Sequence, residues 1–384
     1  MLSRNELAAW LRLSTTHGLS RAAARRLLAA FGSPEGVLAG AAQALREFVG
    51  PAIATALLRP DARLDTLLDA TRHWLESAPQ AAPRDVLVLG DERYPPLLLQ
   101  TADPPLLIYA SGRAELLRAP AVAIVGSRHA TPQGMDNARS FAHFLSGQAL
   151  TIVSGLALGV DGAAHEGGLA GPGSTVAFVA TGLDQVYPKR HAALCRRIEE
   201  MGLVASEYPL GTPPLEINFP RRNRLIAGVA QGTLVVEAAL QSGSLITARM
   251  ALEAGREVFA IPGSIHSPQS RGCHRLIQQG AKLVETAADI LDELRPARAQ
   301  VSMARARRPQ PVAAPADEPA WHDSVANPDA ALLQALGHDP VSFDALAART
   351  GLPSDRLAAR LLELELAGAL QRLPGGLMQR RVNA

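Results

Sequence analysis

The sequence predicts an α/β protein, with a doubly wound, mostly parallel sheet between an N-terminal helical domain and a C-terminal winged helix. Through the middle of the chain, continuous apolar runs alternate with segments of helical period. Runs without polar alternation suit strands that are buried on both faces, as in parallel sheets. Before these runs the pattern is helical only, and after them come two helix-period segments and a glycine-tipped hairpin.

Composition sets the limits on domain number and protein class. A chain of 384 residues is longer than a single hydrophobic core usually serves, and 47% of its residues are hydrophobic. We therefore expect two or three domains. The N-terminus has no basic stretch followed by an apolar run, and nowhere do about 18 uncharged apolar residues follow one another. We therefore expect a cytoplasmic protein with no membrane contact. The net charge of +2 does not by itself indicate a nucleic-acid partner.

Residues 1–85 are predicted to form the helical domain. Leucine, alanine and arginine recur at helical spacing over residues 22–32, where Gly32 reads as a C-terminal stop. The segments 18–28 and 48–58, which contain glycine turns, resemble helix-hairpin-helix or SAM-type elements. Simple helix packing accounts for both segments as well.

The predicted sheet domain spans residues 86–294. Strand-like runs at 86–89 and 106–109, bounded by proline pairs, predict the edge of the sheet. The buried strands are predicted from the apolar runs at residues 121–125, 150–153, 175–179, 203–205, 234–236, 258–261 and 282–284.

Two further segments follow the sheet domain. Residues 295–328 are rich in proline and arginine and poor in apolar residues, which predicts a flexible basic linker. Residues 329–384 place two helical segments before a hairpin with glycines at its tip, which is the pattern of a winged helix. Six acids and six arginines balance in this last segment, so it suits contact with protein as well as with DNA.

Ligands of doubly wound sheets collect beyond the carboxyl ends of the strands, so the residues after each apolar run are the candidates for a binding site. Gly126-Ser127-Arg128 precedes a predicted helix with Thr131 as cap and Pro132 in its first position, a plausible anion site. A glycine-rich loop at 154–161 and a loop ending in Lys189 and Arg190 follow the next two strands.

The segment at residues 219–224 is the most informative about a possible binding site. Pro220 predicts a helix start, which places Arg221, Arg222 and Arg224 in the first turn, where the helix dipole disfavours each cation by about 0.3–1 kcal/mol. A bound phosphate would remove this conflict, and Phe219 would add a surface for base stacking. The alternative is that these arginines pair with carboxylates elsewhere, such as Glu207, Glu216 or Glu237.

Several enzyme and metal signatures are absent. The chain has no GxxxxGK[ST], HExxH or GxSxG motif, so it matches no common catalytic template. Cys195 and Cys273 lie far apart without ligand spacing, and His165 and His274 are scattered singly. We expect free thiols, no metal, no cofactor and no catalytic residue.

Taken together in order, these motifs resemble those of the DprA (Smf) family. The resemblance covers residues 87–292 in detail and the flanking domains in outline. The segments that carry it are Gly126-Ser127-Arg128, Ser154-Gly155-Leu156-Ala157, Thr181-Gly182-Leu183-Asp184, Tyr187-Pro188, Ser206-Glu207-Tyr208-Pro209, Phe219-Pro220-Arg221-Arg222-Asn223-Arg224, Ser242-Gly243-Ser244 and Ala260-Ile261-Pro262-Gly263.

The resemblance implies an extended Rossmann-like domain that forms a homodimer, binds single-stranded DNA in a basic pocket and helps load the RecA recombinase in natural transformation. It implies no enzymatic activity. By motif, the residues expected to contact DNA are Arg128, Lys189, Arg222, Asn223 and Arg224, with Phe219 stacking on a base and Arg221 joining the basic cluster. The residues expected to bring backbone amides near phosphates are Gly126, Ser127, Ser154, Gly155, Ser242 and Gly243. Two positions depart from the family pattern, Val160 and His274.

Two other functions remain open from the sequence. A nucleotide-processing enzyme of the lysine-decarboxylase-like phosphoribohydrolase type would also place glycine loops at strand ends, with Glu237 as an acid, but its Pro-Gly-Gly-x-Gly-Thr loop is missing. A winged-helix transcription regulator with a ligand-sensing α/β domain would prefer duplex over single-stranded DNA.

Overall fold

A computed structural model describes residues 2–59, 62–265, 267–294, 332, 336 and 340–380. The chain divides into two compact units, Met1–Gly263 with Pro268–Ile290, and Ser264–Ser267 with Leu291–Ala384. The predicted linker at 295–328 lies outside the described residues.

The first unit begins with five helices, and serine side chains cap the first three of them at their N-termini. Ser3 forms a capping box with Glu6, and Gly32, with φ of 79°, ends the second helix as predicted. The fourth helix is kinked at Gly50, whose φ is 78°, just before Pro51. The helices are α1 (Arg4–Thr15), α2 (Arg21–Phe31), α3 (Pro34–Ala39), α4 (Ala42–Leu58) and α5 (Ala62–Glu76).

A nine-stranded sheet follows, with strand order β1-β2-β6-β5-β4-β3-β7-β8-β9. The strands are β1 (Arg84–Val88), β2 (Leu107–Gly112), β3 (Ala121–Val125), β4 (Thr151–Ser154), β5 (Thr175–Phe178), β6 (Leu203–Ser206), β7 (Gly232–Val235), β8 (Glu257–Ala260) and β9 (Lys282–Leu283). The pairs β1–β2 and β2–β6 are antiparallel, and the others are parallel. The prediction of a mostly parallel sheet with its edge before residue 110 is confirmed.

Helices connect these strands. They are α6 (Pro96–Leu99), α7 (Pro132–Gly147), α8 (Val160–Leu169), α9 (Ala192–Met201), α10 (Asn218–Val229), α11 (Gly243–Glu253), α12 (Arg271–Gln278) and α13 (Ala287–Leu294). Thr131 caps α7 as predicted, with its Oγ1 accepting the Gly134 amide at 3.0 Å. The predicted start of α10 at Pro220 is wrong. The helix begins at Asn218, so that Arg222 and Arg224 fall in its second turn.

Two large hydrophobic clusters and a smaller one that packs α9 against β5 build the described part of this unit. Of the two large clusters, one fills the parallel part of the sheet, and the other joins α1 and α5 to the antiparallel edge through Trp10, Trp74, Val86 and Tyr109. The predicted domain boundary after residue 85 therefore falls within a single hydrophobic cluster, because β1 already starts at Arg84.

The second unit is a winged helix, as predicted. Its described elements are β10 (Val341–Ser342), α14 (Phe343–Thr350), α15 (Ser354–Leu366), β11 (Leu370–Leu373) and β12 (Leu377–Arg380), with strand order β10-β12-β11. Gly375 and Gly376 form the hairpin tip with φ of 84° and 73°, values that glycine adopts without strain. Of the helices in the described ranges, none is long and apolar enough to span a bilayer.

Candidate nucleic-acid interface

A cavity of about 490 Å³ lies beyond the carboxyl ends of β3 and β7, between α10 and the start of α11. We call it the basic pocket. Ligands of doubly wound sheets bind at such an edge. Eight of the sequence-predicted residues line it, namely Gly126, Ser127, Arg128, Phe219, Arg222, Asn223, Ser242 and Gly243.

The loop after β3 forms one wall of the basic pocket. A Cβ atom at Gly126 would lie 2.6 Å from Cγ2 of Val160, so only glycine fits there. The Ser127 amide donates to the Glu237 carbonyl at 2.8 Å, which fastens this loop to the residues after β7. Arg128 is exposed, and its guanidinium carbon lies 5.5 Å from the centre of the Phe219 ring. The loop thus holds a cation beside an aromatic face.

Arg222 forms the floor of the basic pocket and is only 4% exposed. Its Nη1 donates to the carbonyls of Gly155, at 2.7 Å, and Phe178. Buried Asp161 lies nearby and accepts the amides of Gly155 and Ala157 at 3.1 and 3.3 Å. Among the described residues, no hydrogen bond engages Nη2 of Arg222.

Burial dominates the electrostatics of this floor. It lowers the pKa of Arg222 to about 10, against the favourable field of Asp161. Burial also raises the pKa of Asp161, although Arg222 and two amides act in the opposite direction. An anion in the pocket would favour the charged guanidinium and offset part of its desolvation. The floor is therefore a site where a phosphate would be stabilised.

An aromatic pair stands at the side of the basic pocket. The rings of Phe219 and Tyr187 have centroids 5.5 Å apart and planes tilted by 53°. Tyr187 is 45% exposed, so the pair offers a ring to solvent on which a base could stack. Tyr187 was not among the site residues predicted from the sequence. Its place in the chain, next to Pro188 and close to the predicted site residue Lys189, could have indicated it.

The N-terminus of α11 points at the basic pocket from the opposite side. Ser242 caps this helix, with its Oγ accepting the Ser244 amide at 3.3 Å. A side chain at Gly243 would meet no atom within 4 Å, so the approach to this helix start is open. The positive end of the helix dipole therefore adds to the cationic character of the pocket.

Four other predicted residues lie outside the pocket lining. Lys189, in a 3-10 helix at Lys189–His191, and Arg221, on α10, are exposed. The expectation that Gly155 turns its amide toward phosphate requires correction, because this amide donates to Asp161 at 3.1 Å. Ser154 is fully buried, and its hydroxyl donates to the Ile124 carbonyl at 2.6 Å.

Arg224, which was expected to contact DNA, also lies outside the pocket lining. It forms an ion pair with Glu207 and lies 3.5 Å from Asp103, and Arg21 of α2 bonds to the same two carboxylates. We call these residues the four-charge cluster. The alternative of pairing with an acid thus holds for Arg224, because its side chain leaves α10 on the side away from the pocket.

Glu237, the acid named for a nucleotide-processing enzyme, does not line the basic pocket. Its carboxylate accepts the amide and hydroxyl of Thr131 at 2.9 and 2.6 Å, and burial raises its pKa. Since this carboxylate is engaged by Thr131 outside the pocket, the geometry does not favour a nucleotide-processing enzyme with Glu237 as its acid. Within the described ranges, no group of three or more His, Cys, Asp or Glu side chains could hold a metal ion. Cys195 and Cys273 are free and buried, as predicted.

The chain was compared with known protein families. Residues 85–295 match the family model described as DNA recombination-mediator protein A. Residues 310–376 match the model described as the DprA winged helix domain.

Individual proteins are similar over most of the chain. Protein Smf of Escherichia coli is 42% identical, across 82% of this chain and 81% of the relative. DNA processing protein DprA of Streptococcus pneumoniae is 48% identical, across 53% of this chain and 72% of the relative.

Two solved structures are also similar. The X-ray structure of DNA processing protein A from Streptococcus pneumoniae aligns with a TM-score of 0.64 and 36% identity, across 76% of this chain and 98% of that chain. DNA processing protein A from Helicobacter pylori, described for its single-stranded DNA binding mode, aligns with a TM-score of 0.50 and 30% identity, across 55% of this chain and 95% of that chain.

Proposed function

The chain belongs to the DNA recombination-mediator protein A family of DprA and Smf proteins, and on this basis we propose that it binds single-stranded DNA and helps load RecA recombinase onto it. In this proposal the protein acts in the cytoplasm, in natural transformation and recombination, and catalyses no reaction itself. The basic pocket is the DNA-binding site.

The arrangement of cations in the basic pocket supports this proposal most directly. Arg128 at the rim, Arg222 in the floor and the start of α11 all offer donors or positive charge to one cavity. Guanidinium groups and helix N-termini bind phosphate oxygens without reading base identity. Asn223 also lines the basic pocket, and its side-chain amide can hydrogen-bond to the DNA backbone or to the edge of a base.

The aromatic pair suits a single strand rather than a duplex. A base can stack on an exposed ring only when it is not stacked and paired within a helix. The half-exposed Tyr187 and the partly buried Phe219 lie next to the cations that would hold the phosphates. Binding of this kind tolerates any sequence, which a mediator of recombination requires.

We further propose that two copies associate through α11. Leu240, Ile246 and Leu252 are 48%, 39% and 53% exposed, and together with polar residues such as Arg249 and Arg275 they line a groove of about 340 Å³. Covering this groove with a second copy would remove apolar surface from water.

The first prediction concerns DNA affinity. Arg128→Ala should weaken binding of a labelled single strand and reduce the slope of log K against log salt by about 0.7, the value for one phosphate contact. Fluorescence anisotropy across a salt series measures both quantities. The same variant should slow RecA assembly on a single strand, measured by the ATPase activity of RecA.

The matched control is Arg118→Ala, which removes an arginine near the start of β3 and outside the basic pocket. It should bind as the unaltered protein does. Equal affinity and equal slope for both variants would contradict the proposed site. Preference for duplex DNA over a single strand would contradict the proposed function.

A further inference from the structure

The ring of Tyr187 belongs to a short surface segment, residues 186–191, which we call the Tyr187 segment. Most of its residues are exposed. Apart from its continuation into α9, one hydrogen bond ties this segment to another part of the described chain. The Nδ1 atom of His191 lies 3.0 Å from the carbonyl oxygen of Leu156. Because a carbonyl oxygen only accepts, Nδ1 carries the proton and donates.

The residue that accepts this hydrogen bond has a strained backbone. Leu156 has φ of 61°, in the left-handed region that leucine rarely adopts. Both of its polar backbone groups are held by histidines, since its amide donates to Nε2 of the buried His165 at 3.2 Å and its carbonyl accepts from His191. The carbonyl of the preceding Gly155 accepts from Arg222 at 2.7 Å. Such a conformation persists only where its surroundings fix it, and it is typical of functional sites.

A glycine in α8 leaves room for the His191 ring. A Cβ atom at Gly162, in the first turn of α8, would lie 2.7 Å from Cε1 of His191 and 3.0 Å from Nε2. A side chain at position 162 would therefore displace the ring. Glycine is less favourable than alanine within a helix, because it loses more conformational freedom on folding. The chain thus has a weak helix former at the position where the ring lies.

These contacts form a closed circuit at the side of the basic pocket. Phe219 and Arg222 lie about one turn apart on α10. Arg222 holds the loop at residues 155–156, and the same loop holds His191. In the segment that ends with His191, the ring of Tyr187 lies 5.5 Å from the ring of Phe219. The stacking pair and the arginine in the pocket floor are thereby fixed to each other through His191.

We propose that His191 is a positioning residue for the binding of single-stranded DNA. The hydrogen bond from its Nδ1 to Leu156 holds Tyr187 against Phe219, so that a base stacks on the ring pair while its phosphate lies at Arg222. This inference rests on the proposed function. The unit that the circuit recognises is one nucleotide of any base, because every base has a face that can stack. His191 itself contacts neither the base nor the phosphate.

The test uses two substitutions of similar size that differ in the hydrogen-bond donor. His191→Asn keeps an N–H group near the place of Nδ1, whereas His191→Leu removes it. The probe is a labelled oligodeoxythymidine of about 12 nucleotides, followed by fluorescence anisotropy. His191→Leu should weaken its binding about threefold to tenfold, and His191→Asn should bind as the unaltered protein does. His143→Leu, at an exposed histidine of α7, is the matched control and should change nothing.

Further measurements separate positioning from a direct contact and from a structural role. His191→Leu should leave the slope of log K against log salt unchanged, since no phosphate contact is lost. In a Tyr187→Ala background it should have almost no further effect, because the ring that it positions is gone. The midpoints of urea unfolding of His191→Leu and His191→Asn should be equal. Gly162→Ala, which displaces the His191 ring, should weaken binding to a similar extent as His191→Leu.

Several results would overturn the inference. Equal affinities of His191→Asn and His191→Leu would show that the donor has no role, and a lower unfolding midpoint for His191→Leu alone would assign its loss to folding. A salt slope reduced by about 0.7 would show that His191 contacts a phosphate itself. A full loss in the Tyr187→Ala background would show that it acts elsewhere. If Arg128→Ala weakens binding and His191→Leu does not, only this inference fails, whereas both proposals fail if the unaltered protein does not bind the strand.

Discussion

Three arginines that are close in sequence lie in three different environments. Arg221 is exposed, Arg222 is buried beneath the basic pocket, and Arg224 is paired with Glu207. Each residue on a helix turns about 100° from the one before it, so Arg222 points about 100° away from Arg221 and to nearly the opposite side from Arg224, two positions on. The role of each arginine therefore follows from its environment and cannot be assigned to the motif as a whole.

A buried histidine provides a prediction at the same scale. His165 of α8 is fully buried, with Nδ1 at 2.7 Å from the Thr175 hydroxyl and Nε2 accepting the Leu156 amide at 3.2 Å. Burial lowers its pKa from 6.5 to about 3. Between these values the unfolded chain binds a proton that the folded chain does not, so stability should fall as the pH falls below 6.5.

From pH 7 to pH 5 this effect amounts to about 2 kcal/mol in the free energy of unfolding. Urea unfolding at the two pH values measures it. His165→Gln keeps one donor and one acceptor but cannot titrate, so it should lose this part of the pH dependence. The control His143→Gln changes an exposed histidine of α7 and should keep the original dependence. Equal pH dependence in all three proteins would contradict the account.

At the scale of elements, α10 links two parts of the first unit. Its residues Phe219, Arg222 and Asn223 line the basic pocket, while Arg224 on another side joins the four-charge cluster with Arg21 of α2. In this way one helix connects the pocket wall to the N-terminal helices. The side chain of Glu207 in this cluster is only 5% exposed, so its charge matters more than that of a surface ion pair.

Removing the Glu207 charge should therefore be costly. Glu207→Gln leaves two guanidinium groups facing Asp103 alone, and we expect the free energy of urea unfolding to fall by about 3 kcal/mol. Adding Arg224→Met should recover part of this loss, because the two side chains are coupled. Glu216→Gln, an exposed acid in the loop before α10, is the control and should have little effect. If the changes in the free energy of unfolding caused by the two substitutions simply add, Glu207 and Arg224 are not coupled and the prediction is contradicted.

At the scale of the whole molecule, the order of the strands decides which loops meet. β3 and β7 are neighbours in the sheet although three strands and four α-helices of the sheet domain lie between them in sequence. Their carboxyl ends bring residues 125–129 and 239–247 to one cavity. The same sheet leaves Ile246 and Leu252 of α11 exposed, on the face where we propose that a second copy of the chain binds.

This assignment predicts a change of oligomeric state. Leu252→Glu places a charge among the exposed leucine and isoleucine side chains of the groove on α11, so the protein should change from a dimer to a monomer in light scattering after size exclusion. Met201→Glu changes an apolar residue that is 48% exposed elsewhere and should leave the dimer intact. A monomeric unaltered protein, or a dimeric Leu252→Glu variant, would contradict the proposed interface.

Local patterns in the sequence were sufficient to predict most of the secondary structure. The apolar runs located the strands to within a few residues, because strands buried on both faces have no polar alternation. Glycine and cap residues located helix ends such as Gly32 and Thr131. The start of α10 was misplaced because proline is tolerated anywhere in the first turn, and Pro220 is the third residue of the helix rather than the first.

By itself, then, the sequence determined the fold class and which loops carry cations, because hydrophobic period and turn residues are local properties of the chain. Only the tertiary structure decided which cations share a cavity and which are neutralised. Arg128 and Arg222 meet Phe219 and the start of α11, whereas Arg224 meets Glu207 and Asp103, which lie 17 and 121 positions away in the chain. The physical reason is that solvation and charge pairing depend on neighbours in space, and those neighbours are set by the strand order and by the face of the helix on which each side chain lies.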